Sequence, residues 1–412
     1  MNPEKNNQVI WIINQYAAPL KYSHFGARHF FLAKEYIKQG YKVYIISSNY
    51  NHYMYHFPEG KNQFNFEDEE GITTIWVKGF RYKNSNGLGR VLSWLLFSIK
   101  LFFLPVNKMI KPDIVVVSSV SILPVINALW FKFKFKARKF IFEIRDIWPL
   151  TFTEIGKHTK YHPLALFLGI FEKIAYRKAD HIVATMPKAD LHIRKIIKKN
   201  FKFSCIPQGI DLDFYANLKD LPKEFITRHI PQNRFVVCYA GTIGLSNALE
   251  PLVEAARNMQ NLDPDVHFIL LGDGHDKDLL VKKAAGLANL SFVPKIKNSE
   301  VQSFLKHCNV LYDSVLSSGL YQFGISRNKW MDYLYSNLPI IVSFRGYDDM
   351  LEKTGSGIII EPENPEAIVN AILKIKALST AELDKMKNGR DFLLNDRTYQ
   401  KLASDYIQIF NA

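Results

Sequence analysis

The sequence predicts an α/β protein made of two doubly wound, parallel-sheet domains facing each other across a cleft. Three observations predict it. Apolar runs of strand length alternate with segments of helical period along the chain, the pattern of βαβ units. That pattern restarts at "RFVVCYAGTIG" after a polar, proline-bearing stretch. The length of 412 residues also exceeds what one core ordinarily serves, at about 150 residues per domain.

In the first half, "QVIWIINQY" reads as a strand and "ARHFFLAKEYIKQG", closed by a glycine, as a helix. With the strand "YKVYIISS" they form one complete βαβ unit. "GITTIWVK", "PDIVVVSS", "KFIFEIRD" and "DHIVATM" supply further strands. In the second half, strand "RFVVCYAGTIG" leads to helix "ALEPLVEAARNM", strand "VHFILLGDG", helix "DKDLLVKKAAGLA", strand "LSFVPK", helix "EVQSFLKHC" and strand "NVLYDSV". "GLYQFGISRNKWMDYLYSNLPIIVS" then adds a helix that ends in a strand signal. The stretch "FSCIPQGIDLDFYANLKDLPKEFITRHIPQNR" places a hinge near Gln208 and Gly209. The expected domains are therefore 1–207 and 208–395, with a last helix over 396–412 that packs back on either half.

Composition narrows the function. A hydrophobic fraction of 48% and a charged fraction of 22% belong to a globular chain with a buried core, which excludes disorder. Cys205, Cys238 and Cys308 have no CxxC or histidine spacing, which argues against zinc and against a disulfide framework and favours a reduced, cytoplasmic setting. The apolar run after "MNPEKNN" is short and β-rich, so it reads as a first strand and not a secretion signal. A net charge of +14 calls for an anionic partner: nucleic acid, phospholipid or a phosphorylated substrate.

Open α/β sheets bind ligands outside the carboxyl ends of their strands, so function is sought in the strand-to-helix loops. No G-x-G-x-x-G follows the first strand, where only Gly26 marks the helix entrance, and this demotes a dinucleotide-dependent dehydrogenase. Gly241 and Thr242 in "AGTIGLSN", and Gly272 and Gly274 in "GDGHDKD", let backbone approach a ligand or simply turn the chain. In "GISRNKWMDY", Ser326 is a plausible N-cap that puts Lys329 in the first turn and Asp332 one turn on, on one face. A lysine there opposes the helix dipole unless an anion lies between them, and an ionised aspartate can accept two ribose hydroxyls. An ordinary i,i+3 surface ion pair fits the same spacing. In "EIRDIWP", Glu143, Arg145 and Asp146 crowd a strand end, either for chemistry or as an arginine–carboxylate pair.

Two further stretches bear on partners. "WFKFKFKARKF" carries five basic residues among its aromatics, which suits nucleic acid but equally a helix C-terminus. "VLSWLLFSIKLFFL" (Val91 to Leu104) is apolar on nearly every face and shorter than the ~20 residues of a membrane span, so it is an interfacial or a buried helix. Together they favour an anionic membrane surface over nucleic acid.

"GARHFFLAKEYIKQGYKVYIISS", "ADHIVATMPKADLHI", "CIPQGIDLDFY" and "GISRNKWMDYLYSNLPIIVS", in that order and spacing, resemble the family 4 glycosyltransferases, and the resemblance covers nearly the whole chain. "RHFFLAKEY", "EIRDIWP" and "GISRNKWMDY" are most similar to the branch that adds amino-deoxysugars or related sugars to O-antigen and capsule. The resemblance implies GT-B architecture, a nucleotide-sugar donor (UDP-linked is the expectation) in the C-terminal domain, an acceptor in the N-terminal domain, retention of configuration, and no cofactor or dissociable metal.

By position, Lys329 matches the lysine on the donor diphosphate, and Asp332 the second glutamate of the family's Glu-x7-Glu motif, which holds the ribose. The implied donor set is Gly26, Gly241, Thr242, Gly272, Gly274, Val293, Lys295, Ser326, Arg327, Lys329 and Asp332. Lys329, Arg145 and Asp146 form the catalytic set, with Asp146 orienting the acceptor hydroxyl. Two departures stand out: Gly324 occupies the place of the motif's first glutamate, and "GTIGLSN" has Leu245 and Asn247 where a phosphate-binding base is usual. Arg327 is the expected compensation. The implied partner is a lipid-linked saccharide acceptor at the inner, cytoplasmic face of the membrane, and not nucleic acid. An inactive scaffold of a polysaccharide assembly complex and a sugar-nucleotide epimerase are the alternatives.

Overall fold

A computed structural model of the chain describes residues 7–23, 25–82, 87–156 and 158–412. Residues 1–6 of the opening stretch lie outside it, whereas the first strand lies within it. The chain divides into two units, Met1–Pro207 together with Tyr399–Ala412, and Gln208–Thr398.

The N-terminal unit holds one sheet of eight strands: β1 (Val9–Ile13), β2 (Lys42–Ser48), β3 (Phe64–Glu69), β4 (Ile72–Val77), β5 (Ile114–Ser118), β6 (Lys139–Ile144), β7 (His181–Ala184) and β8 (Phe203–Cys205). Their order is β3-β4-β2-β1-β5-β6-β7-β8, and only β3 runs antiparallel to its neighbour. β1 and β5 are buried at every residue, as central parallel strands covered on both faces must be, and their β-branched residues fit that environment. The β3–β4 hairpin turns at Glu70 and Gly71, both at positive φ. β3 and β8 escape sequence reading because "FNFEDE" is acidic and half-exposed and "FSC" spans three residues, both usual for sheet edges.

Helices α1 (Arg28–Lys38), α2 (Leu88–Leu101) and α3 (Val125–Phe135) belong to this unit. So does the C-terminal helix Tyr399–Asn411, whose Tyr406 and Phe410 join the core with Tyr36 of α1. The basic stretch "WFKFKFKARKF" finds its role here. Lys132 and Lys134 end α3, and Lys132 pairs with Asp180 at 2.6 Å. Arg138 and Lys139 donate to the carbonyls of Phe410 and Ile409 at 2.9 and 2.5 Å, satisfying the last turn of the C-terminal helix.

The C-terminal unit is a six-stranded parallel sheet of β9 (Phe235–Ala240), β10 (Val266–Leu271), β11 (Leu290–Val293), β12 (Val310–Ser314), β13 (Ile340–Ser343) and β14 (Gly357–Ile360), in the order β11-β10-β9-β12-β13-β14. This is the 3-2-1-4-5-6 order of a doubly wound sheet, with its switch point between β9 and β12. Helices Glu250–Leu262 and Pro365–Lys376 bury their apolar faces against it. Ile210 and Thr398, near the two ends of this unit, pair as a parallel bridge.

Candidate functional site

At the switch point of the C-terminal unit, β12 delivers Asp313 with no exposed surface. A carboxylate there must be paired. Arg327 Nε lies 2.9 Å from its Oδ2, Lys329 Nζ 3.0 Å from its Oδ1, and Trp330 Nε1 donates to Oδ2 at 2.7 Å. Lys329 also donates to the Tyr239 hydroxyl at 2.8 Å and sits 4.0 Å over that ring, beside Gly241 at the end of β9. Burial, with Arg327 nearby, outweighs the pull of Asp313 and brings the Lys329 ammonium down to about 7.

Lys329 and Asp332 do not form the surface pair that their spacing allowed. Asp332 Oδ1 accepts from the Tyr215 hydroxyl at 2.8 Å, and burial raises its carboxyl to about 6. Ser326 is not the N-cap either. Arg327 takes that position in extended backbone with no side-chain cap, and the Ser326 hydroxyl instead accepts from Gln208 N at 3.1 Å. Helix Asn328–Ser336 thus begins without a cap and without an acid in its first turn, while Arg327 and Lys329 stand at its positive end.

Arg327 Nη2 also donates to Asn247 Oδ1, so the guanidinium reaches the loop that lacks the expected base, and Asn247 Nδ2 donates to Thr242 O at 2.8 Å. Gly272 and Gly274 prove to be packing glycines: a Cβ on either would fall 1.9 Å from Gly241 O or 2.1 Å from Ile243 O, so they allow two loops to touch. Val293 is buried behind them, its carbonyl accepting from Gly272 N, and Lys295 is exposed. Gly324 has φ of 102°, a backbone that L residues rarely adopt. Gly324, at the place of the motif's first glutamate, thus holds a backbone conformation that a glutamate would rarely adopt. Gly324→Glu is expected to lower stability by about 1–2 kcal/mol without tightening nucleotide binding; thermal melts and titration with UDP check it.

Gly26, Arg145 and Asp146 lie in the N-terminal unit. There the sheet order switches between β1 and β5. Ser119, just past β5, fixes the "EIRD" loop: its hydroxyl accepts from Arg145 N and Asp146 N at 3.0 and 3.2 Å and donates to Asp146 O at 3.0 Å. Burial raises the Asp146 carboxyl, against the pull of Arg145 and Arg90. Glu143 is a core residue, paired not with Arg145 but with Arg28 at 3.0 Å and His29 at 2.8 Å. Among the described residues, no group of three or more His, Cys, Asp or Glu is placed to hold a metal.

Sequence reading missed Asp313, Tyr239, Asn247 and Tyr215 as partners in this site. The available signal was an acid closing the otherwise apolar strand "NVLYDSV".

Residues 222–391 match the family described as glycosyl transferases, group 1. WcaI of Escherichia coli K12, named as a colanic acid biosynthesis glycosyl transferase, is 25% identical over 81% of this chain and 84% of its own. The alpha-monoglucosyldiacylglycerol synthase of Acholeplasma laidlawii is 29% identical over 48% of this chain and 50% of its own. Among solved structures, the Escherichia coli trehalose-6-phosphate protein bound with UDP-2-fluoro glucose superposes with a TM-score of 0.73 at 10% identity, over 98% of this chain and 99% of that one. Two parallel-sheet α/β units in this order, with this superposition, show the GT-B fold. Residues 222–391 thus match the group 1 glycosyl transferases, and over most of its length the chain is similar to a relative named for colanic acid biosynthesis.

Proposed function

We propose that the chain transfers a sugar, an amino-deoxysugar or hexose, from a UDP-linked donor to a lipid-linked saccharide in the assembly of a bacterial surface polysaccharide, with retention of configuration. The observation that carries this reading is the uncapped start of helix Asn328–Ser336, where Arg327 and Lys329 share the single carboxylate of Asp313. Two cations and a helix dipole against one anion leave positive charge that a donor diphosphate neutralises. Asp332, presented beside them by Tyr215, takes the ribose hydroxyls. As the glycosidic bond breaks, Arg327, Lys329 and the helix N–H groups stabilise the departing diphosphate. The acceptor hydroxyl attacks from the same face and passes its proton to the leaving phosphate, while Asp146 orients it.

A thermal-shift screen of UDP- and GDP-sugars tests the donor assignment. Stabilisation by UDP-sugars supports it, and stabilisation by none removes it. Asp146→Asn is expected to lower turnover about 10²-fold or more with donor KM nearly unchanged, and unaltered turnover takes Asp146 out of the site.

Nucleotide affinity has a predicted pH window. Above about 7 the free protein loses the Lys329 proton that binding requires, and below about 6 Asp332 gains a proton and accepts fewer hydroxyls. Affinity for UDP is therefore expected to peak between those values and to fall by up to about tenfold per unit on either side. Calorimetric titration across the window checks it, and a flat profile contradicts it.

The lipid-linked acceptor rests on a surface of the N-terminal unit. α2 buries Ser93, Trp94, Phe97 and Leu101 and exposes Leu88, Leu92, Leu95 and Ile99 on the other face. Phe103, 73% exposed, follows α2, and α3, whose Trp130 meets Phe102 at 5.5 Å, carries Phe133, 88% exposed, next to Lys134 in sequence. Apolar side chains beside basic ones suit an anionic lipid surface. At 14 residues α2 is too short to span a membrane. Changing Leu92 and Leu95 to serine is expected to lower co-sedimentation with phosphatidylglycerol vesicles at least about tenfold. Failure of the unaltered chain to co-sediment would discard this surface.

A further inference from the structure

Arg145 leaves β6 two residues after Glu143 yet has no share in that carboxylate. Both Glu143 oxygens are already taken by Arg28, His29, Ser118 and Tyr406. Arg145 Nε and Nη1 are buried and meet no acceptor, and no carboxylate pairs with the guanidinium among the described residues. Its Cζ lies 5.7 Å from the Phe25 ring, which stacks on Tyr53 at 3.9 Å.

A second guanidinium sits in the same neighbourhood. Arg90 donates from Nε to the Tyr16 hydroxyl at 3.2 Å, and its Cζ lies 5.8 Å from Trp148, whose buried Nε1 also lacks an acceptor. Both arginines act on Asp146, the one carboxylate they share. Two guanidiniums and the carboxylate of Asp146 thus lie among these aromatics, with three donor nitrogens, two of Arg145 and one of Trp148, that meet no acceptor among the described residues.

Leaving such donors buried and unpaired is unfavourable, and more so for charged groups. A group that brings several anionic oxygens removes that cost, and a guanidinium fork matches a phosphate or carboxylate bidentately. A neutral saccharide supplies no charge to balance the pair.

We infer that the N-terminal unit binds an oxyanion of the acceptor, a phosphate or a carboxylate, on Arg145 with Arg90 and Trp148 beside it. The inference rests on the glycosyltransferase reading and names its acceptor class: a saccharide carrying an anionic group close to the hydroxyl that Asp146 orients. A lipid diphosphate and an acidic sugar both supply that chemistry.

The test is calorimetric titration of the full chain carrying Lys329→Met, so that the donor side does not capture the probe. The probes are inorganic diphosphate, glucuronate and neutral methyl glucoside. At least one anion is expected to bind, methyl glucoside is not, and adding Arg145→Gln or Arg90→Gln weakens the anion at least about tenfold. Diphosphate binding alone points to the lipid diphosphate, and glucuronate alone to an acidic sugar. Refusal of both anions, or binding that neither substitution weakens, overturns the inference. UDP binding by the unaltered chain is measured alongside. If UDP binds and the anions do not, the inference falls and the glycosyltransferase reading stands; if UDP is refused too, that reading falls as well.

Discussion

Replacing Lys329 by methionine is expected to lower kcat/KM by about 10²–10³-fold, the usual loss when one donor to a developing anion is removed. Methionine keeps much of the side-chain volume, and Asp313 retains Arg327 and Trp330, so the fold is expected to survive. Thermal melts accompany initial-rate measurements of sugar-nucleotide consumption. A loss smaller than tenfold in a folded variant would refute the role given to Lys329. Arg327→Ala is expected to act in the same direction but less strongly.

Glu143→Ala is expected to destabilise the N-terminal unit by about 3–5 kcal/mol, the scale of breaking a buried ion pair, because Arg28 is left charged and buried without its partner. Arg28 still donates to the carbonyls of Ile206 and Pro207, which carry no full charge to balance it. The carboxylate also fixes a tautomer. Asn14 Oδ1 accepts from Tyr16 N, so its Nδ2 donates to His29 Nδ1, and the His29 proton therefore sits on Nε2, directed at Glu143. Burial lowers the His29 imidazole below its ordinary 6.5, while His29 and Arg28 together hold Glu143 well below its ordinary 4.5 against burial. Both shifts have one sign. The stability they contribute is full above about 6.5, declines as His29 protonates in the unfolded chain, and falls further below about 4.5 as the unfolded chain binds the Glu143 proton. Urea melts across this range check the slope; stability that rises on acidification contradicts it.

The two sheets were legible because parallel strands buried on both faces read as continuous apolar runs, as in "VIWII" and "IVVVS". Three of the four edges were not: "FNFEDE", "FSC" and "GIII" are short or half-exposed, and their strand character depends on a neighbour. Lys329 was legible as a charge in the wrong place at a helix start. Its partner was not, because spacing along one helix sees Asp332 three residues away but cannot see Asp313 arriving on the adjacent strand. The same blindness assigned Ser326 to a cap it does not form and left open a pairing of Arg145 with Glu143, whose oxygens are filled from α1, β5 and the C-terminal helix. Local periodicity reports faces; the pairing of buried charges is a long-range property.

The return of the last helix to the first unit sets an order for biosynthesis. Tyr406, which donates to Glu143 at 2.6 Å, stands 263 residues beyond it. The N-terminal unit leaves the ribosome first yet lacks helix Tyr399–Asn411 until all of Gln208–Thr398 has been made. At about 5–20 residues per second that interval is roughly 10–40 s, during which Tyr36 and Tyr41 have no Phe410 to pack on. The unit made first is thus the last to be completed, and a nascent chain halted before residue 399 presents to chaperones and proteases an apolar surface that the finished protein conceals.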